Sequence, residues 1–451
     1  MSFADAVPDP AAPGGPGAHP GEELDEVGRI ARDLIRIDTS NYGEGRAVGE
    51  TAAAEHLGAI LAELGGTPEY VDAAPGRTSV VARFTGADAT KPALVLHGHT
   101  DVVPADPANW SVDPFGGVVR DGLLWGRGAV DMKNMDAMIV TALGDVIRAG
   151  ERPAREIVVA FFSDEENGGV FGSQHLVRER PELFAGASEA ISEVGGWSAT
   201  IGDRRAYLLQ TGEKALLWLR LTARGTAAHG SRMMRDNAVT RLAEAVARVG
   251  RQDWPVRLTD TTRTLVAELA RLLEVDPVTL GPDEVVLRTG SPAGFILATL
   301  RTTTNPTMLA AGYKHNVIPD TAEARIDVRP LPGQEQAVLD RVAELVGPDV
   351  EIEVMEHGIG LETPFEGALV EEMIARLRAH DPGAAVLPYL MSGGTDNKAL
   401  SRLGITGYGF APLRLPPDLD FPGMFHGVDE RVPLDALAFG RRVLADLIRS
   451  Y

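Results

Sequence analysis

From Leu24 onward, apolar residues recur either at helical spacing or in short unbroken runs, and the alternation between the two sets the expected fold. Residues 24–37 and 47–64 carry apolar side chains three and four apart, the spacing that gives a helix one buried face. Residues 79–84 and 93–97 are continuous apolar runs and read as strands, followed by a helix over 135–149 and a strand over 157–162. The runs at 93–97 and 157–162 lack polar alternation, which predicts burial on both faces. Helix and strand in turn imply an α/β sheet. The carboxyl ends of those two strands lead into His99 and Glu165, and ligands of an open α/β sheet bind at that edge.

The texture changes after Gly212. Residues 214–223 alternate apolar and polar, 237–249 have helical spacing, 307–312 and 322–329 read as strands, 334–345 as a helix and 350–355 as a strand. Strand, helix, two strands, helix, strand is the order of a compact α+β, ferredoxin-like insert. Residues 254–300 interrupt it with a helical stretch at 264–273 and several prolines and glycines, and take no assigned shape. Past Gly358 the α/β texture returns, with helices over 366–379 and 434–448 and a glycine-rich loop at Ser392. The expected division is a leader over 1–21, a catalytic domain over 22–212 and 359–451, and an inserted lid and dimerisation domain over 213–358. Hinges are expected near Gly212 and Gly358.

Composition narrows the chemistry. A chain of 451 residues exceeds the usual size of one hydrophobic core. Lys and Arg total 43 against 64 Asp and Glu, a balance that repels nucleic acid and anionic membrane surfaces. The first 21 residues lack the basic start and apolar core of a secretory signal, and no apolar run approaches membrane-spanning length. A cytoplasmic location is expected. Without cysteine, any metal must be held by His, Asp and Glu, a donor set suited to Zn, Co or Mn.

Candidate chemistry lies at the ends of the predicted strands. His97-Gly98-His99-Thr100-Asp101 closes an apolar strand with two imidazoles and a carboxylate. If His99 ligates a metal, Asp101 is placed to orient its other ring nitrogen; two buried structural histidines are the competing reading. In Gly126-Arg127-Gly128-Ala129-Val130-Asp131, the aspartate can bridge two cations or simply cap the next helix. Asp164-Glu165-Glu166 follows the most apolar strand, where one acid can coordinate while its neighbour accepts a proton from water. Glu193 and His426 offer further ligands, though neither is persuasive alone.

Together these segments resemble the M20 metallopeptidase family, which includes aminoacylases, acetylornithine deacetylase, succinyl-diaminopimelate desuccinylase and carboxypeptidase G2-like enzymes. The resemblance runs from about Glu22 to the C-terminus, through the His-x-Asp strand end, the Gly-Arg-Gly-x-x-Asp-x-Lys loop, the acid pair, the later Glu and the C-terminal His-Gly-x-x-Glu. It implies a zinc-peptidase-like catalytic domain and two divalent metal ions, most simply zinc. His99 and Glu193 would hold one ion, Glu166 and His426 the other, with Asp131 bridging and Glu165 as general base. It also singles out His229, within Gly225-Thr226-Ala227-Ala228-His229-Gly230, as reaching the active site of a neighbouring subunit. Asn316, Arg329 and the loop Ser392-Gly393-Gly394-Thr395 would hold the substrate.

The implied activity is hydrolysis of an N-acyl amino acid or dipeptide with a free carboxylate, by a homodimer. Two rival readings remain at this stage. One is a metal- or ligand-binding module without catalysis; the other is a serine hydrolase using Ser392, which lacks the usual Gly-x-Ser-x-Gly elbow.

Overall fold

The computed structural model describes residues 24–451, so the leader expected over 1–21 lies outside the described residues. The larger sheet has ten strands. Its main path runs Ser198–Ile201, Arg204–Glu213, Thr406–Gly409, Ala187–Ser192, Ala93–His99, Ile157–Phe162, Arg77–Phe84, Glu69–Ala74, with Leu361–Glu362 and Ala385–Met391 also paired to Arg204–Glu213. Ala93–His99 is parallel to both of its neighbours. Every residue of Ala93–His99 and of Ile157–Phe162 is buried, which explains their unbroken apolar runs.

Alternation decides which core each side chain joins. Leu94, Leu96, Val159 and Phe161 pack under the helices Glu26–Ile35, Thr51–Glu63, Lys133–Arg148 and Leu434–Ser450. Val95, Val158, Ala160 and Phe162 face the other way, onto Leu176, Val177 and Leu400. Each fully buried leucine or phenylalanine here contributes about 2 kcal/mol of transfer free energy. The helix expected over 135–149 is Lys133–Arg148, buried at every position from Lys133 to Gly144. It runs between the large sheet and the helices Glu26–Ile35 and Leu434–Ser450.

The smaller sheet is antiparallel, in the order Thr303–Ala311, Thr321–Arg329, Leu217–Arg224, Val350–His357. Helices Ala238–Gly250 and Glu335–Val346 cover one face around Leu219, Leu221, Leu242, Ile326 and Val342. Asn237 accepts from the N–H groups of Val239 and Thr240, so it caps the first helix instead of opening it. The order of elements is the one read from the sequence, with the first and third strands central. Gly212 lies inside Arg204–Glu213, and the chain crosses to the smaller sheet over residues 214–216. It returns alongside, where the Gly358 N–H donates to the Leu216 carbonyl.

Residues 254–300 form four helices, Asp260–Leu272, Pro277–Leu280, Pro282–Leu287 and Ala293–Thr299. Their apolar residues Leu265, Leu269, Val286 and Ile296 join the core of the larger sheet, not that of the smaller one. Among the described residues, no helix is long and apolar enough to cross a membrane.

Candidate active site

The strand Ala93–His99 ends with His99 at 1% exposure, its ring fixed by a hydrogen bond between Nδ1 and the Asp101 carbonyl at 2.9 Å. Nε2 is thereby turned to Asp131 Oδ1 at 3.1 Å and Glu193 Oε2 at 3.5 Å. On the other side of Asp131, His426 Nε2 lies 3.3 Å from Oδ2 and 3.1 Å from Glu166 Oε2. Two triads result, His99–Asp131–Glu193 and Asp131–Glu166–His426, each with its donor atoms within 4.8 Å of one another. Asp131 serves both, one oxygen to each. Imidazole and carboxylate donors at this spacing fit a pair of divalent ions sharing one carboxylate.

Charge tells the same story. Burial alone would lower the His99 pKa, but the charge of Glu193 and bonds to neighbouring acids raise it well above the usual value. Hydrogen bonds to Asp131 and Glu166 push His426 up to about 10. Burial, against the opposing pull of His99, drives Glu165 and Glu193 well above the carboxylate range. Both histidines and Glu165, Glu166 and Glu193 are thus driven toward binding protons, whereas Asp131, against its burial, is held well below the carboxylate range by bonds to His426 and His99. Acids crowded around one anionic carboxylate and two imidazoles suit a cation.

A second layer of polar contacts shapes the loop after Ile157–Phe162. The Asp101 carboxylate accepts from the N–H groups of Glu165 at 3.0 Å and Glu166 at 3.2 Å and from Asn41 Nδ2 at 2.8 Å. It stands 3.6 Å from His99 Nδ1, too far for a hydrogen bond. The orienting contact expected from the Asp101 side chain therefore comes from its backbone carbonyl, and the carboxylate positions the acid pair. Asp164, left-handed at φ 66°, accepts from Asn41 at 3.0 Å, Arg77 at 2.7 Å and the Phe171 N–H at 2.9 Å. Arg77 also meets Glu50 at 2.9 Å.

Two more contacts explain motif residues. A Cβ on Gly98 would sit 2.2 Å from Asp136 Oδ1, so only glycine fits between the two histidines. Glu430 accepts from the Gly128 N–H at 2.7 Å and pairs with Arg127, tying the loop of Asp131 to that of His426. His97 is wholly buried against Asn397 at 2.9 Å and joins neither triad. Burial lowers its pKa to about 4, so it is neutral.

The triads open on a cavity of about 800 Å³. Asp131, Glu165, Glu166, Glu193 and His426 line it, together with Arg329 and Ser392, Gly393, Gly394 and Thr395. The Ser392 hydroxyl is buried without a partner among the described residues. Thr395 gives its N–H and hydroxyl to Glu213, at 2.9 and 2.6 Å, and so fastens the loop. Both arms of the Arg329 fork are on Asp327, at 2.7 and 2.9 Å. His229 and Asn316 do not join this group: both are exposed, outside the cavity lining, on the paired segments Ala228–His229 and Val317–Ile318 and the turn before them.

Several lining residues had no advance signal as functional groups. Lys398 lies in the cavity wall with its ammonium on the Lys214 carbonyl at 2.8 Å, its pKa lowered by burial. Its place directly after Thr395-Asp396-Asn397 was the available clue. Phe295 and Tyr389 come from segments with no motif, Trp197 and Phe425 adjoin the segments of Glu193 and His426 without any signal of their own, and Asn41 and Arg77, which act behind the cavity wall, have no motif either.

A sheet edge that aims two sharing triads of imidazole and carboxylate into a cleft defines a metallohydrolase. The chain belongs to Peptidase family M20/M25/M40, whose signature matches residues 95–450. It is similar to the N-fatty-acyl-amino acid synthase/hydrolase PM20D1 of Xenopus tropicalis, 29% identical over 95% of this chain and 86% of the relative. Aminoacylase-1 of Homo sapiens is 27% identical over 92% of each chain. Among solved structures, an M20 family metallo-carboxypeptidase, Sso-CP2 from Sulfolobus solfataricus, superposes with a TM-score of 0.73 at 18% identity, covering 94% of this chain and 99% of its own.

Proposed function

We propose that this chain hydrolyses the amide bond of an N-acyl amino acid or dipeptide ending in a free carboxylate, with two divalent ions, zinc first and cobalt or manganese as alternatives. One observation carries the reading. Asp131 offers one oxygen to each of two triads, while Glu165, 3.8 Å from His99 Nε2, belongs to neither and is free to handle protons.

His99, Asp131 and Glu193 would hold one ion, and Asp131, Glu166 and His426 the other. Bound there, the ions supply Lewis acidity that polarises the scissile carbonyl and acidifies water. Glu165 then accepts the proton of the attacking water at its carboxylate and returns it to the leaving amine. Its loop is held for that task by Asp101, which takes the Glu165 and Glu166 N–H groups. The substrate carboxylate is anchored by Ser392, the Gly393-Gly394 backbone and Lys398, with Arg329 available once its fork leaves Asp327. His229 and Asn316 act from a second copy of the chain in a homodimer, His229 as a donor to the developing oxyanion. The smaller sheet serves as the lid, hinged at residues 214–216 and 357–360, and the enzyme works in the cytoplasm.

The test is a screen of metal-reconstituted protein against acetyl, succinyl, long-chain acyl and aminoacyl amino acids, with and without chelator. Turnover that chelator abolishes is expected. Metal binding without turnover of any member would overturn the reading, and so would turnover that survives complete metal removal.

A further inference from the structure

Glu213, Lys214 and Ala215 stand where the chain leaves the larger sheet for the smaller one. All three are buried, and none of them lines the cavity. Each nevertheless holds a different part of the cavity wall. The Glu213 carboxylate takes the Thr395 N–H at 2.9 Å on one oxygen and the Thr395 hydroxyl at 2.6 Å on the other. The Lys214 carbonyl accepts from the Lys398 ammonium at 2.8 Å, and the Lys214 N–H donates to the Met391 carbonyl at 2.9 Å. The Ala215 N–H donates to the carbonyl of Pro330, the residue after Arg329, at 2.9 Å.

These bonds tie down the glycine-rich loop at both ends. Its first end follows Met391, which pairs with Glu213 where the parallel strands Arg204–Glu213 and Ala385–Met391 finish. Its second end is Thr395, on the Glu213 side chain. Between them, a Cβ on Gly394 would stand 2.6 Å from Lys398 Nζ, so the ammonium lies against the loop backbone and only glycine leaves room for it.

Glu213 is the charged member of this set, at 1% exposure. Gln210 Nε2 donates to it at 3.1 Å, and the Lys398 ammonium stands 3.8 Å away as its counter-charge. A carboxylate buried so deeply persists only with its oxygens occupied by donors. The two donors of Thr395 are therefore held as firmly as the carboxylate itself. An acid at the end of a core strand, with no contact to the cavity, has the loop and Lys398 as its task.

Resting on the reading that Ser392, the Gly393-Gly394 backbone and Lys398 anchor the substrate carboxylate, we propose that Glu213 is the positioning residue of that anchor. It sets the preference for a free carboxylate over a neutral end, acting through Thr395 and Lys398. Reach is what matters: an aspartate keeps the charge but withdraws it by about 1.5 Å, beyond hydrogen-bonding distance of Thr395.

The experiment uses the full-length metal-loaded enzyme, the acyl amino acid it turns over best and the carboxamide of that same compound. Wild type is expected to favour the free acid at least about 100-fold in kcat/KM. Glu213→Asp should lower that ratio about tenfold, through KM for the free acid, with kcat and metal content nearly unchanged. Thr395→Val should lower it similarly, and the double variant should be no worse than the poorer single one, because both break the same contact. An unchanged ratio in Glu213→Asp overturns the proposal, as does an equal loss on acid and carboxamide, which a merely structural role would give. Wild type taking both ends equally would instead overturn the carboxylate-anchor reading itself, before any variant is made.

Discussion

The two sheets treat their functional residues in opposite ways. At the edge of the larger one, His99, Glu165, Glu166 and Glu193 leave adjacent strands within a few residues and meet Asp131 and His426 at 3.1 to 3.8 Å from a histidine nitrogen. On the smaller one, Arg329 reaches the cavity but keeps its fork on Asp327, while His229 and Asn316, on the separate ladder of Ala228–His229 with Val317–Ile318 and the turn before it, lie outside the cavity lining. Residues mounted on one packed layer inherit their separations from strand spacing. Residues across a hinge depend on how two bodies, or two chains, come together. On the proposed function, the first set acts within a single chain and the second is completed by motion or assembly.

The sharpest way to break this contrast is His229→Ala. If a second copy completes the site, kcat should fall about 10²- to 10³-fold with metal stoichiometry unchanged. Mixing this variant with Glu165→Gln should then recover activity, because each hybrid assembly holds one intact site. Full activity of His229→Ala would make it an ordinary loop histidine. Arg77→Met probes the other region, where a buried guanidinium shapes the acid-pair loop through Asp164 without touching substrate. A fall of about 10- to 100-fold in kcat or metal affinity is expected, with Arg77→Lys intermediate; a wild-type pH–rate profile and rate would contradict that role.

The smallest effect concerns the crossing itself. Lys214 is buried there, and burial, with the nearby Arg329 and Arg301 charges, lowers its pKa to about 7 from 10.5. Between those values the unfolded chain binds a proton that the folded chain does not, so this group's contribution to stability rises with pH. At or below pH 7 the folded state carries the buried charge. Lys214→Met should therefore change Tm more favourably at pH 6 than at pH 9, by a few degrees, about 2 °C. An equal change at both values would show that Lys214 is not depressed.

The same contrast governs what the sequence revealed. Of the five proposed ligands, His99 and Glu166 stood out because they follow strands whose burial leaves an unbroken apolar run, whereas Asp131, Glu193 and His426 drew their meaning from the order of motifs in the family resemblance. Ala187–Ser192 was harder, since Glu189 breaks its apolar run and finds its partners in Arg155 at 2.8 Å and the Tyr451 hydroxyl at 2.8 Å, both distant in sequence. Arg77 opens an apolar strand and looks like an edge charge until the fold supplies Glu50 and Asp164. Asp101 was expected to orient His99 with its side chain, whereas the contact is made by its backbone carbonyl, a distinction that residue identity and spacing do not carry. Residues 254–300 remained shapeless because their helices are fixed by docking onto the larger sheet, and Phe295 has no local motif to announce it.

The most direct test of the proposed chemistry is Glu165→Gln, measured for bound metal and turnover on the same sample. Two ions per chain with turnover lowered about 10³-fold is the predicted result. Wild-type turnover, or loss of metal along with activity, would contradict the assignment of Glu165 as a base that stands outside both triads.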